Sequence, residues 1–402
     1  MKAVVIAVGK ELLTGRTVNT NLKDISMKLH QVGIDVNRSY VIDDLKEEYF
    51  NILQSIDHDL IVFTGGLGPT IDDITRESVY EYFQVETHLD DNVLEYIKSI
   101  FKKSGNPMKD TNNKQALLPV DSIILHNELG TAPGVYFEAM NKQIVLLPGP
   151  PHEMRPLMDK AIEIIQQKQN SILYSQGYML VGTGESHMEH SLKGFYGLHP
   201  NVNIAPYANV GELKYIFTSE NQDDLNRCLN AFYDKFKEFI YGDLEDTLEG
   251  VIVQELIRQN KTVSFAESCT GGMIASTIVN VSGSSAVFNE SFVTYANKAK
   301  IKYLNVSKTI LEEFGAVSNE CAYEMVLGLH KNTNCDYGIS VTGIAGPDGG
   351  TEEKPVGLVY FGIYNNGEIK THRKVFNGNR MMVRTRAKVY ALNLLRGVLF
   401  HE

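Results

Sequence analysis

Residues 264 to 276, SFAESCTGGMIAS, put two side chains able to act as nucleophiles, Ser268 and Cys269, at a sharp break between apolar stretches. A β-type run ends there, and apolar residues at helical spacing resume with Met273, Ile274, Ile278 and Val281. A nucleophilic Ser or Cys needs a base within reach. The last part of the chain offers His330, His372 and His401, none in a glycine-rich loop or just after a predicted strand. A lysine can serve instead when burial or neighbouring cations lower its pKa. YANKAK supplies one: Tyr295 ends a predicted strand, and Lys300 falls in the first turn of the next predicted helix. Upstream, VSGSSAVF sets Ser284 and Ser285 in a loop before that strand, and SVTGIAGPDGG ends another strand with Thr342 and a glycine-rich turn. Polar strand-to-helix turns in one small α/β domain should converge at the strand ends, where a nucleotide-like substrate with a phosphate would fit.

A second set of residues with chemical capacity lies near the front. FTGGLGPTIDDITRE, 63 to 77, closes an apolar strand with Gly65, Gly66 and Gly68 and then opens a helix with Asp72 and Asp73. Glycines let a backbone approach a ligand, and a helix N-terminus offers N–H groups to phosphate. The aspartates could cap the helix or hold a divalent cation. The stretch is neither a P-loop nor a GxGxxG fingerprint.

These turns need elements to hold them. From 1 to about 165, short apolar runs alternate with helical patterns, including a helix over roughly 46 to 56, as in a parallel sheet covered on both faces. Ligands of such sheets sit at the carboxyl ends of strands, so the loops after Val8 and Phe63, NELGTAPG and LLPGPPHEM are the ones to watch. Residues from about 170 to 245 form a smaller α/β stretch without a chemical cluster, and a second α/β domain starts near 246. At 402 residues two or three domains are expected. The formal net charge of −11 disfavours nucleic acid as a partner. Four scattered cysteines and a six-residue first apolar run predict a cytoplasmic protein without a disulfide framework, signal peptide or membrane helix.

ELLTGRTVNTN, FTGGLGPTIDDIT, GTAPG and LLPGPPHEM resemble the molybdopterin-binding-type domain at the front of CinA proteins. The resemblance implies a three-layer α/β/α domain over 1–168 with metal-dependent hydrolysis of ADP-ribose to AMP and ribose 5-phosphate. It implies ligand contacts at Gly65, Gly66, Gly68, Thr70, Gly134, Pro148 and Gly149. It also implies a divalent metal of the magnesium or cobalt type, with potassium as a further cation, near Asp73, Asp72 and Asp44. Two positions depart from the family pattern: Lys10 replaces an acidic or small residue, and Asn19 replaces an aspartate.

AESCTGG, YANKAK, GAVSNE, VTGIAGPDGG, EEKPVG and FNGNR match in order the carboxy-terminal CinA domain, which is similar to nicotinamide mononucleotide deamidases. The resemblance implies a KH-like α/β connector over 169–245 and a three-layer α/β deamidase domain over 246–402 that needs no cofactor. Carried over, Ser285 is the nucleophile and Lys300 the base. Tyr295 and Thr342 assist, and Arg380 clamps the substrate across a dimer interface. Ala296 and Asn379 depart from a usual serine and aspartate without removing a catalytic group. Ser268, Thr270, Gly271 and Gly272 then read as a cradle for the phosphate or ribose, joined by Gly343, Ala345 and Gly346, and Cys269 as packing. Ser268 is the second candidate nucleophile. Competing readings are the front-domain pyrophosphatase as the main activity, or a non-enzymatic binder of a pterin or nucleotide linked to competence. The expected partners are small nucleotides and a second copy of the chain, not nucleic acid or membrane.

Overall fold

The computed structural model describes residues 1–168 and 173–400, which form two compact units, Met1–Ser175 and Gln176–Glu402. The expected connector start at 169, and His401, lie outside the described residues.

The first unit is built on a six-stranded sheet in the order Asp35–Ile42, Lys2–Val8, Leu60–Thr64, Lys142–Leu147, Gly134–Ala139, Ile123–Leu125. Its first four strands are parallel and its last two antiparallel. The reason is visible in Lys2–Val8, which is apolar on both faces. Val4, Ile6 and Val8 pack with Ile61, Phe63 and Leu146 on one face, while Ala3 and Val5 pack with Leu60, Val62 and Val145 on the other. A strand buried on both faces is the mark of a parallel sheet between helical layers, and each such side chain stabilises by about 1.5–3 kcal/mol. Thr20–Gln31 and Pro151–Lys168 cover one face, and Lys46–Ser55, Thr75–Phe83 and Asp91–Ser104 cover the other. The register pairs Ala7 with Thr64 and Thr64 with Leu147, so the loops after Val8, Thr64 and Leu147 emerge on one edge.

The second unit begins with a four-stranded sheet, in the order Asn203–Asn209, Glu212–Ser219, Tyr174–Val181, Ile240–Asp243. Gln222–Phe236 lies on it through Phe232, whose ring is 4.9 Å from Phe217 and 5.1 Å from Tyr215. Val181 and Tyr241 enter the same core as Leu248 and Ile252, so this sheet shares one interior with the helix Leu248–Gln259.

A five-stranded sheet completes the unit, ordered Phe292–Val293, Val263–Glu267, Tyr337–Gly343, Leu358–Asn365, Glu368–Val375. The first three strands are parallel and the last two form antiparallel pairs. Phe265, Ile339, Val341 and Phe361 face Leu248–Gln259 and Arg380–Leu399, whereas Ala266 faces Asn319–Thr333 on the other side. The layering is again α/β/α. Glu267 pairs with both Val293 and Val341, which brings three strand ends to one edge. All four cysteines are buried and unpaired. Among the described residues, no helix is long and apolar enough to cross a membrane.

Candidate functional site

The Val263–Glu267 strand is buried throughout, and its ladder runs one residue further because Ser268 N–H donates to the Val341 carbonyl at 2.9 Å. That bond seats Ser268 deep, with 7% of its surface exposed. The chain must then reverse into the helix Met273–Val279, and Gly271 and Gly272 do so at φ of 62° and 92°, a region that disfavours other residues. Glu267 holds the reversal from below. Its buried carboxylate accepts N–H bonds from Gly272 at 2.9 Å, Ile274 at 3.2 Å and Ala275 at 2.9 Å. From the other side Arg384 donates through Nε to the Cys269 carbonyl at 3.0 Å and through Nη2 to the Thr270 carbonyl at 2.8 Å.

Lys300 meets this turn. It stands in the helix Asn297–Leu304 and is 1% exposed. Its Nζ lies 3.0 Å from Ser268 Oγ, 2.7 Å from the Thr294 carbonyl and 3.3 Å from the Tyr295 carbonyl. Burial lowers its pKa below the ordinary lysine value, against smaller opposing effects of Cys321 and Cys269. Nζ donates to all three oxygens, and loss of one proton would leave a lone pair facing the Ser268 hydroxyl. The arrangement suits an uncharged lysine acting as base.

The hydroxyl bonded to the amine is that of Ser268, the second of the two expected candidate nucleophiles. Ser285 lies in the short turn Ser284–Ala286, exposed to solvent, while all three Nζ contacts go elsewhere. Two glycines of the expected phosphate cradle already have partners for their amides. The Gly272 amide is taken by Glu267, and the Gly271 amide donates to the Ser268 carbonyl at 3.1 Å. These glycines shape the elbow and have no N–H to spare for an anion. Thr270 is fully buried, and its hydroxyl has no partner among the described residues. Cys269 packs in the core, and burial pushes its thiol up to about 12, which removes it as a thiolate nucleophile.

Tyr295 and Arg380 do come together: Arg380 donates through Nη2 to Tyr295 Oη at 3.0 Å and through Nη1 to the Gly346 carbonyl at 2.7 Å. Both contacts are within one chain. The Thr342 hydroxyl donates to the Ala316 carbonyl at 2.7 Å and is 1% exposed, so it fixes the 315–318 loop and is not a free donor. Gly343 ends its strand opposite Val359. The Ala345 methyl packs in the core, leaving only its main chain for a ligand. Sequence reasoning missed Glu267 and Arg384. An acid closing the apolar run VSFAE was the available signal for the first, since a carboxylate is buried only when bonded.

In the first unit a cleft of about 410 Å³ opens at the shared strand edge, lined among others by Gly65, Gly66, Gly68, Pro148 and Gly149. Gly65 has φ of 105°, and a Cβ there would strike the Val8 carbonyl oxygen. Carboxylates gather around it: Glu11, Asp44, Asp72, Asp73 and Glu153. Thr70 stands behind, bonded through its hydroxyl to Asp72 and Asp73. Gly134 is not in the lining. It sits inside the sheet, where a Cβ would press on Leu125 and the Leu146 carbonyl, so it is a packing glycine. Asn19 accepts from Leu22 N–H at 3.0 Å and caps the Thr20–Gln31 helix, so its amide is not a carboxylate lost from the cleft.

Desolvation, then the charges of Asp73, Asp43, Asp72 and Glu11, raise the Asp44 pKa to about 6. Its Oδ1 is buried without a partner. Among the described residues no three acidic, histidine or cysteine side chains stand ready to cage an ion. By linkage, an acid raised on folding favours the fold below its unfolded pKa, and that contribution is lost as pH rises through about 6. Asp44→Asn is accordingly expected to raise thermal stability at pH 7.5 by about 1 kcal/mol, and far less at pH 4.5. Calorimetry at both values checks this, and an equal gain at both would refute it.

Two α/β units, one with an acidic cleft at its strand ends and one with a buried serine–lysine pair at its own, define the class of protein. Residues 4–167 match the family described as "Probable molybdopterin binding domain", and residues 245–399 match "CinA C-terminal domain". A CinA-like protein of Kosmotoga olearia is 41% identical over 411 residues, covering 99% of each chain. A relative in Alkaliphilus metalliredigens, under a competence-damage inducible name, is 40% identical over 408 residues and 98% of each chain. The crystal structure of the competence/damage inducible protein CihA from Agrobacterium tumefaciens is 39% identical, covering 38% of this chain and 93% of that one, with a TM-score of 0.37. The chain belongs to the CinA family.

Proposed function

We propose that the carboxy-terminal domain is a serine–lysine amidohydrolase that converts nicotinamide mononucleotide to nicotinic acid mononucleotide and ammonia. One observation carries the reading: a buried lysine amine with no carboxylate partner among the described residues, 3.0 Å from a buried serine hydroxyl. The substrate comes from the family resemblance, and the reaction type from the pair. Neutral Lys300 takes the Ser268 proton as Oγ bonds to the carboxamide carbon. The lysine then returns that proton to the departing nitrogen, the C–N bond breaks, and ammonia leaves an ester on Ser268. Water attacks the ester, Lys300 accepts its proton, and the acid product leaves as Oγ is reprotonated. Tyr295, whose hydroxyl accepts from Arg380 at 3.0 Å, would orient the amide. A well-placed donor to the developing oxyanion is worth about 3 kcal/mol.

The chemistry needs the amine form, and the Lys300 pKa lies below the ordinary 10.5. Deamidation kcat/KM is therefore expected to rise with pH through that lowered value and level off above it. A profile that falls over the same range would contradict the lysine base. The direct test of the function is ammonia release from nicotinamide mononucleotide by the full chain, with and without a chelator. Release that survives chelation is the expected result, and no release rejects the reading.

A second activity has its own support in the front cleft. The unpartnered Asp44 oxygen and the repulsion around it are what a divalent cation of the magnesium or cobalt type would relieve, with Asp44 as the residue to meet it and Asp72 and Asp73 lining the same cleft. Because those residues make no ready cage, such an ion would be completed by oxygens of a pyrophosphate ligand. The cation would supply charge neutralisation at the pyrophosphate. The residues of the cleft would orient ADP-ribose, with Pro148, Gly149 and Gly65 to Gly68 in its lining. Chelator-sensitive AMP formation from ADP-ribose tests it. Both sites belong to a cytoplasmic homodimer in this proposal.

A further inference from the structure

If the glycine turn has no amides to spare, recognition of a substrate phosphate must come from elsewhere. The closing strand and helix, residues 368 to 399, carry eight lysines and arginines against a single acid, Glu368, in a chain of net charge −11. Arg380 and Arg384 are one helical turn apart, so they share a face. Neither meets a carboxylate among the described residues. Arg380 is pinned by Tyr295 Oη and the Gly346 carbonyl, and Arg384 by the Cys269 and Thr270 carbonyls. A guanidinium carries five N–H donors, and these contacts leave three on Arg384 unassigned. Arg386 likewise meets the Asn377 carbonyl and no carboxylate among the described residues. Beside them, Lys374 and Lys370 join burial in lowering the His372 pKa, as a positive neighbourhood should. Glu267, the carboxylate nearest in sequence to the turn, spends its oxygens on the Gly272, Ile274 and Ala275 amides.

The geometry points to Arg384, with Arg380 beside it, as the reader of a phosphomonoester on the substrate, so that the site selects a nucleotide over the corresponding nucleoside. This rests on the amidase reading for its substrate, but the anion site stands on the arginines alone. Two fixed guanidiniums with free donors suit a phosphate dianion better than a mobile lysine would. Arg384 thereby has two tasks, holding the Ser268 turn with two donors and meeting the phosphate with the others.

The test uses the full chain with nicotinamide mononucleotide and nicotinamide riboside, and the variants Arg384→Gln and Arg384→Lys. The wild type is expected to favour the nucleotide in kcat/KM by about 10²-fold or more. Arg384→Gln should pull that ratio toward one, mainly through KM, and Arg384→Lys should keep part of it. Equal losses on both substrates, with the ratio unchanged, would show a purely structural clamp and overturn the inference. An independent arm measures melting of the second unit with ribose 5-phosphate against ribose. A phosphate-dependent shift that Arg384→Gln abolishes supports the inference even if neither substrate is deamidated, in which case the amidase reading alone fails. A shift that survives Arg384→Gln overturns the inference.

Discussion

Ser268→Ala and Lys300→Ala are each expected to reduce ammonia release from nicotinamide mononucleotide by about 10⁴- to 10⁶-fold, and the double variant by hardly more than either one. Residues that act as a unit lose their function together, because a hydroxyl without its base is as inert as a base without its hydroxyl. The two side chains stand 3.0 Å apart, as such a unit requires. Ser285→Ala is expected to cost far less, since that side chain points to solvent from a short turn. Steady-state kinetics with a coupled ammonia assay measure all four. A Ser285→Ala loss matching that of Lys300→Ala, with Ser268→Ala active, would instead support the Ser285–Lys300 pairing.

The second large effect is on stability. Glu267→Ala removes the acceptor for three main-chain N–H groups at the start of Met273–Val279, that of Ile274 buried and those of Gly272 and Ala275 partly so. Bonds of this kind to a charged group contribute about 1.5–3 kcal/mol each, and orphaned donors add their own cost. A loss of at least about 3 kcal/mol is expected, which for a unit of this size is about 6–12 °C in Tm. Glu267→Gln keeps the shape and one carbonyl oxygen, so it should fall between. Calorimetry reads the second unit's transition. A Glu267→Ala protein melting within a degree of wild type would mean the turn is held by Arg384 and the sheet alone.

Much of this architecture was legible before any coordinate. The double-faced apolar run of Lys2–Val8 announced a parallel sheet between helices, and the helix expected near 46 to 56 runs over Lys46–Ser55. Lys300 was legible too, because a lysine in the first turn after a strand end is placed to reach the neighbouring loops. Which hydroxyl it reaches was not. That depends on register: Glu267 pairs with Val293, and Thr294 N–H donates to the Glu267 carbonyl at 2.8 Å, which draws Ser268 under the amine. Sequence spacing carries no record of which parallel strands are neighbours. The same limit hid Arg384, whose carbonyl partners lie more than a hundred positions away. It also made Gly134 look like a loop glycine, although its role is to let Leu125 and the Leu146 carbonyl close in.

Catalysis of this kind turns on an ester forming at one particular oxygen. Full-length protein quenched in acid during turnover of nicotinamide mononucleotide, then digested and weighed by mass spectrometry, tests this directly. The expected result is a nicotinoyl mononucleotide adduct on the peptide spanning SFAESCTGGMIAS, localised to Ser268 and absent from Lys300→Ala. An adduct on Ser285 would contradict it, as would an adduct on the Cys269 thiol.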